Sequence, residues 1–284
     1  MKRFLLTFVL LAVALAASAQ SKIVTDSIQS RFLGCGQKYN VYLPAGYDTA
    51  AAYPVIYLLH GLYGDYTNWA DTGRMKEVAD ELIASGEMVP AVIIMPNAGD
   101  RDVHNYQNGY FNVVNWPYED FFFQELLPAA EKKYNCGGCK GKRAIMGLSM
   151  GGGGSIVYAQ RHPDLFSSAY GMSAWLDNKH RNVRGSDMPG SKLLLTDESV
   201  REHSALDFMD NASSGTLDQL KTVQWFLDCG DDDFLLLLSV QLHLKMKQAG
   251  LHSELRVRNG GHTWEYWHTA LRTSFPFASR NFCK

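Results

Sequence analysis

Arg143-Ala144-Ile145-Met146-Gly147-Leu148-Ser149-Met150-Gly151-Gly152 opens as a short apolar run, breaks into Gly-x-Ser-x-Gly and continues into small residues. Glycines on either side of one serine let the backbone turn tightly from a strand into a helix, which presents the Ser149 hydroxyl, exposed, at the helix N-terminus. A nucleophile belongs there. The amide of Met150 and the positive end of the helix dipole would face any oxyanion formed when Ser149 attacks a carbonyl. The motif alone recurs by chance, so its flanks decide the reading: an apolar strand pattern precedes it, and residues 155–160 continue as a helix that ends before His162-Pro163. A glycine-rich turn with an incidental serine leaves that context unexplained.

Working outward, residues 53–61 form a continuous apolar run that ends in a turn, as an inner strand of a parallel sheet does. Residues 91–96, 166–171, 223–227 and 253–257 read as further strands, and residues 75–84, 119–134, 234–249 and the stretch after Thr263 as helices. Residues 37–44 alternate like an edge strand closed by Pro44 and Gly46. Strands alternating with helices predict an α/β fold with a mostly parallel central sheet covered by helices on both faces. Residues 176–222 break this rhythm and are expected to form an inserted loop-and-helix region near the site. With no internal repeat and no low-complexity linker, one domain over residues 20–284 is the economical division.

Residues 1–19 carry Lys2 and Arg3, an apolar run from Phe4 to Ala17, and the small-residue end Ala17-Ser18-Ala19 before Gln20. They read as a secretory signal peptide, too short and wrongly flanked for a membrane span, so the mature chain is expected to begin near Gln20 and to be secreted or periplasmic. The apolar segment Phe234 to Val240 reads as a buried helix face. A net charge of −2 and the lack of a dense Lys/Arg run argue against nucleic acid or an anionic membrane as the main partner. Five cysteines stand at 35, 136, 139, 229 and 283, an odd count that leaves at least one thiol over. A local Cys136–Cys139 disulfide is the first expectation, ahead of a redox or zinc site, because no second Cys/His pair stands at metal-ligand spacing.

In such a sheet, ligands sit at the carboxyl ends of the strands, so the loops that follow strands should hold the partners of Ser149. The loop His60-Gly61-Leu62-Tyr63-Gly64-Asp65 offers the Leu62 amide as a second oxyanion donor beside Met150. His60 precedes the nucleophile, against the chain order serine, acid, histidine of this topology, and reads as structural. The loop Asp228-Cys229-Gly230-Asp231-Asp232-Asp233 lacks the ligand spacing of a calcium loop and reads as the source of a carboxylate that orients a histidine. Asp233 is preferred, with Asp232 in reserve; a mere helix cap is the plainer alternative for Asp233. The third loop, Asn259-Gly260-Gly261-His262-Thr263, supplies His262 as general base and then general acid. His268, inside the last helix, reads as structural or as a rim residue.

His60-Gly61-Leu62 with Asn68-Trp69, the Ser149 motif with His162-Pro163-Asp164-Leu165-Phe166, Cys229-Gly230-Asp231-Asp232-Asp233, and Gly260-Gly261-His262-Thr263-Trp264 together resemble one esterase family. It includes feruloyl and acetyl-xylan esterases, S-formylglutathione hydrolase (esterase D) and the mycobacterial mycolyltransferases. Residues 110–117, ahead of Glu125-Leu126-Leu127-Pro128, resemble its loop before a shared helix. The resemblance runs from about Lys38 to Trp267 and implies an α/β-hydrolase fold with Ser149, Asp233 and His262 as a catalytic triad, Leu62 and Met150 as the oxyanion hole, and no metal or organic cofactor. Gly153 and Gly154 extend the glycine run beyond the family pattern, and the region after Trp175 matches it poorly. Export disfavours a cytosolic thioester substrate. Trp69, Trp116, Trp175 and Trp264, near the expected loops, suggest an aromatic rim for feruloyl or acetyl esters of plant polysaccharides. General short-chain esterase or acyltransferase activity, and a non-catalytic carbohydrate-binding role, are the alternatives.

Overall fold

In the computed structural model, which describes residues 20–99, 108–179 and 192–283, the chain folds around one eight-stranded sheet. Among the described residues ten strands occur in chain order: β1 (Lys22–Gln29), β2 (Gly36–Leu43), β3 (Val55–Leu59), β4 (Val92–Pro96), β5 (Asn112–Val113), β6 (Trp116–Pro117), β7 (Arg143–Leu148), β8 (Ser168–Met172), β9 (Gln224–Gly230) and β10 (Ser253–Arg258). The large sheet has the order β1-β2-β4-β3-β7-β8-β9-β10, and β5 and β6 form a small separate hairpin. From β4 onward the pairing is parallel, while β1 and β2 are antiparallel to their neighbours. The expected signal peptide, residues 1–19, lies outside the described residues.

Alternation along the strands divides the core into two layers. On β3, Val55, Tyr57 and Leu59 face one layer and Ile56 and Leu58 the other. The second layer is closed by α2 (Met75–Ser85), which follows the short α1 (Asn68–Asp71), and by the last helix. The first is closed by α3 (Tyr118–Phe121), a π-turn over Phe122–Leu126, α4 (Leu127–Lys133) and α5 (Ser149–Arg161). The π-turn falls just before Pro128, whose ring and missing N–H cannot fit a regular α-helical turn. Helices α6 (Lys192–Glu202), α7 (Ala205–Asn211) and α8 (Ser214–Leu220) occupy the described part of the expected insertion. They join this side through the Gln160 side-chain amide, which donates to the carbonyl of Ala205 (3.2 Å). Helices α9 (Leu236–Gln248) and α10 (Trp264–Arg280) complete the order.

Two expectations are corrected here. Residues 37–44 are not an edge: β2 is paired on both sides, and the edge is β1, whose mixed polar and β-branched sequence gave no clear signal. The cysteines of the Cys136-Gly-Gly-Cys139 loop are both free thiols, because the left-handed Gly137 and Gly138 turn Cys136 into the core and Cys139 outward. Among the described residues no helix is long and apolar enough to cross a membrane.

Glycine at 151 is fixed by contact: a Cβ there would lie 2.6 Å from the Leu59 carbonyl oxygen. At Gly215, in α8, nothing stands closer than 3.9 Å. Gly151→Ala is therefore expected to cost several kcal/mol, more than about 3, whereas Gly215→Ala is neutral or stabilising by roughly 0.5–1. Thermal melts of the two variants beside the parent measure the contrast.

Candidate active site

The end of β7 meets the start of α5 at Ser149, whose backbone takes the left-handed conformation (φ 53°). A non-glycine residue held there is strained and must be over-determined by its surroundings. The constraint is visible in Gly147 and Gly151: a Cβ on Gly147 would come within 2.6 Å of the Gly151 carbonyl oxygen, so strand and helix cross at backbone contact. The same closeness explains the extended glycine run. A Cβ on Gly153 would lie 2.9 Å from the Trp175 carbonyl carbon, and one on Gly154 would lie 3.0 Å from the Tyr110 ring. Ser149 keeps only 9 % exposure, so its hydroxyl lies in a recess and not out on the surface as the sequence suggested.

The structure brings the three distant residues together. Ser149 Oγ lies 3.0 Å from His262 Nε2, and His262 Nδ1 lies 2.9 and 3.1 Å from the two Asp233 oxygens. A carboxylate only accepts, so Nδ1 carries the imidazole proton and Nε2 is the acceptor for the serine hydroxyl. Burial alone would raise the Asp233 pKa. Hydrogen bonds from His262, from the Leu235 amide and from the Ser173 hydroxyl outweigh it and hold the pKa below the usual carboxylate value.

The four carboxylates in and after the end of β9 have separate tasks. Asp228, fully buried, accepts from Tyr266 (2.5 Å), Tyr170 (2.6 Å) and Arg256 (2.6 Å) and so ties α10 to β8, β9 and β10. Asp231 accepts from the Gly260 amide (2.9 Å), and the Asp232 amide donates back to the Gly260 carbonyl (3.1 Å), lacing the acid loop to the histidine loop. The Asp232 side chain is exposed, which leaves Asp233 as the partner of His262.

Two residues missed in the sequence stand behind the acid. Ser173, buried and left-handed (φ 46°), follows β8; its hydroxyl bonds Asp233 and accepts from the Trp267 indole N–H (3.0 Å). The Trp267 ring meets His262 edge-on at 4.8 Å. A strained serine directly after a strand was the available signal, but no motif marks it. Ser173→Ala should lower kcat by about tenfold with little change in KM, the loss expected for one charge-assisted hydrogen bond. Steady-state kinetics on a chromogenic ester measures it.

The His60 loop lies against Ser149, since a Cβ on Gly61 would be 3.5 Å from Ser149 Cβ. This sets the Leu62 segment beside Ser149 and the Met150 end of α5. His60 is buried: the Ala98 amide donates to Nε2 (3.0 Å), so Nδ1 carries the proton and donates to the Gly61 carbonyl (2.8 Å). Tyr110, also left-handed, donates from its hydroxyl to the His60 carbonyl (2.9 Å). Burial pulls the His60 pKa down to about 4, partly opposed by its bond to Gly61. The unfolded chain binds this proton below about 6.5, so native stability falls as pH drops from 6.5 towards 4, by roughly 3 kcal/mol. Urea titrations across that window should show this slope reduced in a His60→Asn variant.

The expected tryptophan rim is corrected for Trp69, Trp116 and Trp175, which are buried. Trp69 is buried, its indole donating to the Leu59 carbonyl (2.9 Å), and Trp116 is buried, donating to Ala98 (3.2 Å). The Trp175 ring is buried too, while its backbone amide donates to the Ser149 carbonyl (3.0 Å). Trp264 is partly exposed and packs edge-on against Trp69 and Trp267. Among the described residues, two exposed rings follow site residues directly in sequence: Tyr63, one residue beyond Leu62, and Phe234, one residue beyond Asp233. Residues 234–240 are thus not a buried face throughout; Phe234 is 64 % exposed and Leu237 70 %. His268 donates from or accepts at no catalytic group and bonds the Gly73 carbonyl (2.8 Å), as a structural residue does.

This sheet order, a serine on a strand-to-helix turn, and an acid and a histidine on later strand ends define the α/β-hydrolase fold. The chain belongs to the esterase family described as "Putative esterase", whose model matches residues 30–278. A solved structure described as a ferulic acid esterase is 44 % identical, superposes with a TM-score of 0.89, and covers 93 % of this chain and 100 % of its own. A ferulic acid esterase from Anaeromyces mucronatus, solved in complex with ferulic acid, shares the fold at 16 % identity, with a TM-score of 0.71 over 94 % of this chain and 93 % of its own. An endo-1,4-beta-xylanase/feruloyl esterase from Xylanibacter ruminicola is 33 % identical over 142 residues, 48 % of this chain but 19 % of that protein. The chain thus spans about a fifth of that curated relative's length.

Proposed function

We propose that this protein is a secreted serine esterase of one domain, residues 20–284, that hydrolyses feruloyl or acetyl esters of plant polysaccharides through an acyl-enzyme. The observation that carries the reading is the unbroken hydrogen-bonded series from Ser149 through His262 to Asp233. In the first step His262 Nε2 takes the Ser149 proton as Oγ attacks the ester carbonyl, and the amides of Leu62 and Met150 stabilise the oxyanion. The protonated imidazole, stabilised by Asp233, then gives its proton to the departing alcohol oxygen as the C–O bond breaks. Water, deprotonated by His262, releases the acid and restores the serine. Feruloyl specificity is supported by the 44 % identity to a ferulic acid esterase over that chain's whole length, and export by the residue pattern of positions 1–19.

A parallel panel of methyl ferulate, acetylated xylan and short p-nitrophenyl esters tests the reading. Methyl ferulate or acetylated xylan should be turned over in preference to the plain chromogenic esters. Ser149→Ala should lose on the order of 10⁶ in kcat, as removal of a triad nucleophile does. Undiminished hydrolysis by a folded Ser149→Ala protein would overturn the mechanism.

A further inference from the structure

Phe234 stands out because the triad does not use it. It directly follows the acid, its ring centroid lies 4.6 Å from that of His262 at a 45° tilt, and 64 % of the residue is exposed. The two rings that meet the imidazole differ in burial. Trp267, at 4.8 Å and perpendicular to it, is buried, whereas Phe234 is largely exposed. Leu237, one turn further at the start of α9, is also exposed and continues the apolar surface away from the site.

The chemistry fixes which half of the substrate meets this surface. His262 Nε2 must come within about 2.6–3.2 Å of the leaving oxygen to protonate it as the tetrahedral intermediate collapses. The group attached to that oxygen is then held beside the imidazole, whereas the carbonyl oxygen points to the Leu62 and Met150 amides. A large exposed ring on the histidine side thus lies along the alcohol. We infer that Phe234 is the platform for the leaving alcohol, stacking on the C–H face of the sugar ring that carries the ester. This rests on the esterase reading above and adds the recognition of the alcohol to it.

The proposal separates two determinants of selectivity. The acyl-enzyme has already lost its alcohol, so contacts made by Phe234 act on acylation and not on deacylation. An aromatic platform of this kind is worth about tenfold in kcat/KM. A phenyl or indole ring should supply it, whereas an aliphatic side chain of similar bulk should not.

The test crosses two acyl groups with two alcohols: ferulate and acetate, each as the methyl ester and as the ester of an arabinofuranosyl oligosaccharide. The parent, Phe234→Ala, Phe234→Leu and Phe234→Trp are compared by kcat/KM. Burst titration with p-nitrophenyl acetate counts the competent sites in each preparation. The expected result is that, for whichever acyl group the parent accepts, Phe234→Ala and Phe234→Leu lose about tenfold more on the sugar ester than on the methyl ester, and that Phe234→Trp restores the ratio. Equal losses on both alcohols, or a loss that follows the acyl group, would overturn the assignment. The parent's own preference between ferulate and acetate judges the acyl specificity separately, because the Phe234 ratio is read within either acyl series.

Discussion

The backbone contact between the end of β7 and the first turn of α5 governs the rest of the structure. Gly147 and Gly151 approach each other so closely that no Cβ fits between them, and Ser149 is held left-handed at the crossing. That strain is tolerated because the sheet packs around it: β3 on one side brings Leu59 and the His60 loop against Gly151, and β8 on the other brings Trp175, which bonds the Ser149 carbonyl. The neighbouring loops are therefore placed by the same contact that presents the serine.

Around that point the acid and histidine loops are organised by polar bonds more than by apolar packing. Asp231 and Asp232 join the two loops through Gly260, Asp228 fastens the helix behind them, and Ser173 and Trp267 support the acid and the imidazole from beneath. An imidazole packed perpendicular to the Trp267 ring, with its Nδ1 on a carboxylate, has little rotational freedom. The organisation costs little at the moment of reaction, because the groups are already in position.

Much of this was legible in the sequence, for identifiable reasons. The inner strands are buried on both faces and appear as unbroken apolar runs, and the strand-to-helix crossing at Ser149 demands glycines wherever it occurs. Asp233 and His262, which the structure brings together with Ser149, were singled out by their place after strands. What could not be read depends on side-chain direction. Trp69 and Trp116 sit near the loops in sequence but turn their indoles to backbone carbonyls inside the core. Phe234, in an apolar segment like any buried helix face, turns outward because α9 starts at Leu236 and buries Ser239, Leu242 and Met246 instead. The same limit hid the opposed directions of Cys136 and Cys139 and the supporting role of Ser173. β1 was missed because a half-exposed edge lacks the apolar continuity of the inner strands.

Whether Ser149, His262 and Asp233 perform covalent acyl transfer is decided by trapping the acyl-enzyme. The protein would be mixed with an activated ferulate or acetate ester, quenched in acid within milliseconds, digested and mapped by mass spectrometry. The expected result is one acyl group per chain, located on the peptide bearing Ser149 and lost with the kinetics of turnover. Turnover without such an adduct, or an adduct of equal kinetic competence on another residue, would contradict it.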